Sequence, residues 1–274
     1  MSPQRLLVFD IETVPDRTLV PAPEEGVKEP FAKTIHHQVV AISFLTANII
    51  RTEGIERYEI QECRSGGILT STEPELLRGF WSTIERDGPR VVSWNGRSFD
   101  LPVLTQRALL HGVPTHFWHQ AGTKFETYRH RYSTDWAYDL MDALGEHGAA
   151  RSLKLDETAL AIGMPGKMGH DGSQVAQLYA DGRLDDIRHY CEMDVLNLAG
   201  IYFRWAYVVG KTDVEGYESA VADLMQLLDE QRFDRPHLGE FLDRWRMTQR
   251  PIYASGVKRR EERSAEHLLS DHVI

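Results

Sequence analysis

Leu6-Leu7-Val8-Phe9-Asp10-Ile11-Glu12-Thr13 is the stretch on which the reading of this chain turns. Its first four residues form a continuous apolar run, the pattern of a central strand covered on both faces, and the run ends on two acids separated by one residue. Side chains at i and i+2 of a strand share a face, so Asp10 and Glu12 can aim both carboxylates at one point. Asp-x-Glu pairs also occur on solvated strands. Here the pair closes a buried run, where charged groups need a reason.

Working outward, 13–37 carries Pro15, Pro21, Pro23 and Pro30 and reads as an irregular loop. A second strand follows over 39–44, and a more polar third one over 57–60 belongs near a sheet edge. Thr72 and Pro74 mark a helix start, with Leu76, Leu77, Phe80 and Ile84 at helical spacing, which predicts a helix over 73–86. Val91-Val92-Ser93-Trp94 is a further buried strand, broken by Asn95-Gly96 before a helix carrying Leu101, Leu104, Ala108 and Leu109. A last short strand covers 136–140. Helices then occupy 153–162, 173–179 and 184–209, the last being the longest. Strands first and helices later predict an α/β fold with a mixed sheet flanked by helices. The expected organisation is a main domain over 1–210, a helical extension over 211–250 with amphipathic segments at 217–229 and 237–246, and a polar tail over 251–274 that includes Lys258-Arg259-Arg260-Glu261-Glu262-Arg263.

Composition bounds the function. The chain has 274 residues, 42% of them hydrophobic, enough for one sizeable core. Its two cysteines, Cys63 and Cys191, lie far apart and outside any Cys/His cluster, so neither a disulfide framework nor a zinc site is indicated, and a reducing cytoplasm fits. No apolar stretch reaches the roughly 18 residues of a membrane span, and the amino terminus lacks a signal-peptide pattern. A net charge of −10 argues against a general nucleic-acid coating protein, which usually displays a basic surface. It leaves a nuclease open, since divalent ions can neutralise carboxylates locally.

Two more motifs carry acids. Trp94-Asn95-Gly96-Arg97-Ser98-Phe99-Asp100 sets Asp100 at a strand-to-helix junction, where an aspartate either caps the helix or faces a site. In His189-Tyr190-Cys191-Glu192-Met193-Asp194, inside the long helix, i,i+4 spacing places Tyr190 and Asp194 on one face.

In order and spacing these three motifs resemble the DEDD superfamily of 3′→5′ exonucleases in its tyrosine subclass, and in particular a bacterial family related to the proofreading exonuclease domain of family B DNA polymerases. Tyr138-Asp139-Leu140-Met141-Asp142, Ser152-Leu153-Lys154-Leu155-Asp156 and Gly163-Met164-Pro165-Gly166-Lys167 look like that family too, and the resemblance covers about 5–210. It implies a ribonuclease H-like fold with a central mixed sheet of five to six strands, three antiparallel strands beginning it and two later ones extending it. It implies catalytic residues Asp10, Glu12, Asp100, Tyr190 and Asp194, the four carboxylates holding two divalent cations about 4 Å apart. Asp10 would bridge the two ions, Glu12 and Asp194 would complete one site and Asp100 would serve the other. Oxygen-only ligands point to Mg2+ or Mn2+. Tyr190, with an ordinary pKa near 10, is a poor base and is expected to orient the attacking water.

Thr13 and Val14 are candidates to hold the terminal nucleotide, and Asn95 and Phe99 resemble the family's strand-contacting positions, with Asn95 alternatively a turn residue beside Gly96 and Phe99 ordinary core; Lys167 either reaches a phosphate or is a solvated lysine. Single-stranded DNA or a 3′ overhang is the favoured substrate, with RNA open and a role in DNA repair expected. The residues after 210 are too few for a polymerase domain. A binding module that keeps its acids for structure is the alternative function class. Outside the motifs, Tyr128-Arg129-His130-Arg131-Tyr132 either guides a strand or is a solvated loop. Asp139 reads as a helix cap or a support for the site, and Asp142 is equally ambiguous. His36, His37, His116 and His119 are expected in loops, and Cys191 is expected to be a packed thiol adjoining Tyr190 by sequence alone.

Overall fold

The computed structural model describes residues 2–23, 32–169 and 172–253. Its sheet has five strands in the order β3-β2-β1-β4-β5. β1 (Arg5–Pro15) pairs antiparallel with β2 (His37–Thr52), and β2 pairs antiparallel with β3 (Ile55–Ser65). β4 (Arg90–Ser93) and β5 (Ala137–Asp139) extend the other side in parallel. This is the expected arrangement of three antiparallel strands extended by two parallel ones, with the polar third strand at the edge.

Helices cover both faces, which explains the unbroken apolar run in β1. Leu7, Phe9 and Ile11 enter one core with α1 (Glu73–Asp87) and α2 (Asp100–His111). Leu6 and Val8 enter the other, whose main wall is the long helix described below. Asp10 and Glu12 continue the Leu6–Val8 face, and a register shift follows immediately, between Glu12 and Thr13. Thr72 caps α1 as expected, in a reciprocal box with Glu75, and Pro74 stands in the first turn.

The remaining helices are α3 (His116–Gln120), α4 (Leu140–Leu144), α5 (Leu155–Ile162), α6 (Val175–Ala180), α7 (Leu184–Val208), α8 (Val214–Gln231) and α9 (Pro236–Thr248). α8 and α9 do not stand apart. Leu224, Leu228, Phe241 and Trp245 share one core with Leu196, Tyr202 and Phe203 of α7.

Some expectations need correction. The loop predicted over 13–37 is shorter, because β1 runs to Pro15 and β2 starts at His37; a proline is tolerated at a strand end. Leu109 is 78% exposed and takes no part in the buried face of α2. His116 and His119 lie on α3 rather than in a loop. Pro30 and the basic-acidic run 258–263 lie outside the described residues. No described helix is long and apolar enough to cross a membrane.

Candidate active site

Three elements meet at the C-terminal half of β1. Asp10 and Glu12 project from the strand toward α7, as period-2 alternation requires, and with Cys191 they bring ligand atoms within 4.8 Å of one another. Asp100 opens α2 and is 4% exposed; Asp194 lies in the middle of α7 and is 8% exposed.

Asp10 and Glu12 both feel the charges of Asp100 and Asp194. Burial, then the charges of Asp100, Glu12 and Asp194, push the Asp10 carboxyl far above the usual carboxylate range. Burial, Asp194 and Asp100 do the same to Glu12. Burial raises Asp100 to about 7, against partial relief from its own backbone N–H and that of Ile11, which donate to its carboxylate. β4 pairs with β1 only from Leu6 to Val8, so the Ile11 amide lies beyond that ladder and can reach Asp100. Burial raises Asp194 to about 6, moderated by the Tyr190 hydroxyl, which donates to it, and by the Lys167 ammonium.

Tyr190 sits one turn before Asp194, 4% exposed. Burial and the charges of Asp194 and Glu12 hold its phenol well above its ordinary value, so it is a donor and not a base. Lys167 Nζ stands 5.7 Å from the Tyr190 ring centre. The loop that carries Lys167 is tied down at several points. Asn197 of α7 accepts from the Gly166 N–H at 3.0 Å and donates to the Gly166 carbonyl at 3.1 Å. Asp156 accepts from the Lys167 N–H at 2.6 Å. Gly200 lets Met164 approach so closely that a Cβ there would lie 2.5 Å from its sulfur.

The Asn95–Asp100 turn is equally fixed. Asn95 adopts φ +60°, a left-handed conformation that Asn tolerates. Asp139 accepts from the Asn95 and Arg97 amides, both at 2.9 Å, and also caps α4 through Asp142 N–H. Asp139 thus both caps a helix and supports the site. A Cβ on Gly96 would lie 2.2 Å from Ser93 Oγ, so only glycine fits.

Residues 29–245 match the family described as predicted 3′-5′ exonuclease related to the exonuclease domain of PolB. The chain belongs to that family. The matched residues of this PolB-related exonuclease family include Asp100, Tyr190 and Asp194 and begin after Asp10 and Glu12. It is therefore the fold that sets the first pair of acids against the others. The chain is also similar to the family B DNA polymerase from the hyperthermophilic archaeon Pyrobaculum calidifontis, at 20% identity and a TM-score of 0.47, over 85% of this chain and 29% of that one. It thus spans less than a third of the polymerase. No curated protein matches it.

Three residues gain a place that sequence did not give them. The Cys191 thiol donates toward the Asp10 carbonyl at 3.4 Å and its carboxylate at 3.7 Å, so it adjoins the acids and not Tyr190 alone. Burial and the charges of Asp10 and Glu12 raise its pKa, which keeps it a thiol. His37 opens β2 instead of lying in a loop. Its Nδ1 is 3.0 Å from Thr13 Oγ1, and its ring meets Phe99 edge-on at 5.0 Å. Asn197 carried a readable signal, an amide inside the apolar run Val195-Leu196-Asn197-Leu198-Ala199. Val14, expected at the terminal nucleotide, has its side chain buried with Val40, Leu178 and Tyr190. Tyr128 is core as well, stacked on Trp118 at 4.6 Å.

Proposed function

We propose that this protein is a metal-dependent 3′→5′ exonuclease that removes nucleoside monophosphates from the 3′ end of single-stranded DNA or a 3′ overhang. The observation that carries the reading is the convergence of four carboxylates, Asp10, Glu12, Asp100 and Asp194, with the charges of Asp100 and Asp194 adding to burial in raising the pKa of both Asp10 and Glu12. Buried like charges are costly unless cations join them. The donor set consists of carboxylate oxygens, with Cys191 held as a thiol, and it fits a hard cation such as Mg2+ or Mn2+ better than a thiophilic one. Asp10, Glu12, Asp100 and Asp194 would hold two such ions. Bound there, the ions supply charge neutralisation and a more acidic water.

The chain's own residues supply the rest. Tyr190 keeps its proton, orients Asp194 by donating to it, and offers its oxygen to align an attacking water. Lys167, beside that ring, brings a cation that lowers Glu12 and Asp194 and meets a phosphate oxygen. Thr13, braced by His37, flanks the 3′-terminal nucleotide next to Glu12, with the Val14 backbone continuing that edge, while Asn95 and Phe99 border the strand at Asp100. Residues 1–210 are proposed as the nuclease unit, with α8 and α9 bracing α7.

The test is digestion of a 3′-labelled single-stranded oligonucleotide with Mn2+, by wild type and by Asp10→Ala, with RNA and blunt duplex alongside. Label leaves as mononucleotide with wild type only, and faster from DNA. Intact oligonucleotide with every substrate rules the reading out.

A further inference from the structure

The segment between α3 and β5 turns a row of rings outward in a chain that is otherwise acidic. Phe125 is 63% exposed and Tyr132 60% exposed. Phe125 meets His130 at 5.7 Å between ring centres, His130 meets Tyr132 at 5.8 Å, and Tyr132 meets His147 at 4.7 Å, all edge-to-face. Each ring braces the next. Large exposed aromatic side chains in series mark a binding surface more often than chance exposure does.

Charge points the same way. Lys124, Arg129 and Arg131 stand with one acid, Glu126, in residues 121–132 of a protein of net charge −10. Lys124 Nζ lies 5.1 Å from the Phe125 ring centre, and Arg129 is exposed. Arg131 is committed to Asp142 at 2.7 Å, which also removes that acid's charge from the surface.

The row hangs on fixed points. Tyr128, wholly buried, donates its hydroxyl to the Pro89 carbonyl at 2.8 Å. Gly122 permits a turn so tight that a Cβ there would lie 1.9 Å from the Glu126 carbonyl oxygen. Arg97, in the turn that leads to Asp100, donates to the His130 carbonyl at 2.9 Å. The ring row and the Asn95–Asp100 turn are therefore one mechanical piece.

From these contacts we infer that the surface formed by Lys124, Phe125, Arg129, His130, Tyr132 and His147 is a stacking platform for single-stranded nucleic acid, taking unpaired bases on its rings and phosphates on its cations. Every base has a π-face, so such a platform grips any sequence, and it needs bases that are not already stacked in a duplex. The inference rests on the nuclease reading only for where the strand leads. Its own claim is binding.

Fluorescence anisotropy tests it, with the full chain in EDTA and a labelled oligothymidylate of about 16 nucleotides. Phe125→Ala with Tyr132→Ala weakens binding about 100-fold, roughly tenfold per ring, while Tyr132→Phe with Phe125→Tyr retains it. An unchanged circular-dichroism melt of the double alanine variant shows that the fold is intact, and its hydrolysis of a dinucleotide with Mn2+ stays at the wild-type rate. Unchanged affinity in that variant, equal affinity for blunt duplex, or absence of binding by wild type overturns the platform. Binding without nucleotide release leaves the platform standing and removes the nuclease. Release with ring-independent binding does the reverse.

Discussion

Replacing Asp100 by Asn makes the ion-free protein more stable, at the expense of the chemistry. An acid whose folded-state pKa lies above its ordinary value binds its proton more tightly when folded, so the fold loses stability as pH rises from the ordinary value through the raised one. Asp100 goes from 3.8 to about 7. At about 1.36 kcal/mol per pH unit, full ionisation costs about 4 kcal/mol, an upper bound because the site can relax or admit water. Asn keeps a carbonyl to accept from the Asp100 and Ile11 amides and removes the charge. Taking half of the bound, Asp100→Asn gains about 2 kcal/mol, or about 6 °C in Tm for a chain of this size. The assay is thermal melting followed by circular dichroism in EDTA at pH 8 and pH 5. The advantage of the variant shrinks by about half at pH 5, where Asp100 is protonated in the fold. Adding Mg2+ at pH 8 raises the wild-type Tm more than that of the variant. A variant that melts at or below wild type in EDTA at pH 8, or an advantage indifferent to pH, refutes the idea that burial makes the Asp100 carboxylate costly at this site.

Tyr190→Phe lowers turnover about 10- to 100-fold and leaves Mn2+ affinity within about threefold, whereas Asp194→Ala loses both; Mn2+ titration beside turnover separates them. Gly96→Ala forces Ser93 aside and destabilises the fold by about 1–3 kcal/mol in urea unfolding, with loss of activity through Asp100. Glu56, which Arg90 helps hold down at about 2, contributes about 3 kcal/mol that is present above pH 4.5 and is lost as pH falls toward 2. In Glu56→Gln, acid unfolding monitored by fluorescence loses that dependence.

Much of the fold was legible because its signals are local. The apolar run before Asp10, the Thr72 and Pro74 helix start and the Asn95-Gly96 break each dictate a short piece of backbone and do so in the structure. The placement of Asp10 and Glu12 on one face followed from alternation alone. His37 and Cys191 were not legible, because their partners, Thr13, Phe99 and Asp10, are distant in sequence and meet them only across the folded sheet. Leu109 failed for the opposite reason: its helical spacing fits a buried face that α2 does not extend that far. The Lys167 contact depends on Asn197 and Asp156 clamping a glycine-containing loop, an arrangement no periodicity announces.

The buried ion pairs away from the site have a common logic. Buried pairs add little net stability compared with apolar packing, but breaking one costs about 3–5 kcal/mol, so they fix geometry more than they add stability. Arg107 of α2, 1% exposed, reaches Glu73 of α1 and, at 2.8 Å, Asp16 just past β1, while Glu73 accepts from the Val39 N–H of β2. That cluster locks the helix headed by Asp100 to the strand bearing Asp10 and Glu12. On α7, Glu192 accepts from Ser65 of β3 and from Arg235 and pairs with His237 of α9, so the helix bearing Tyr190 and Asp194 is held from behind. Arg90 of β4 joins Glu56 of β3 to Tyr202 of α7. Four carboxylates that repel one another would spread apart on a compliant scaffold. Each element that carries one of them is anchored by a charged contact that is lost if the element shifts, and this rigidity keeps the acids close to one another.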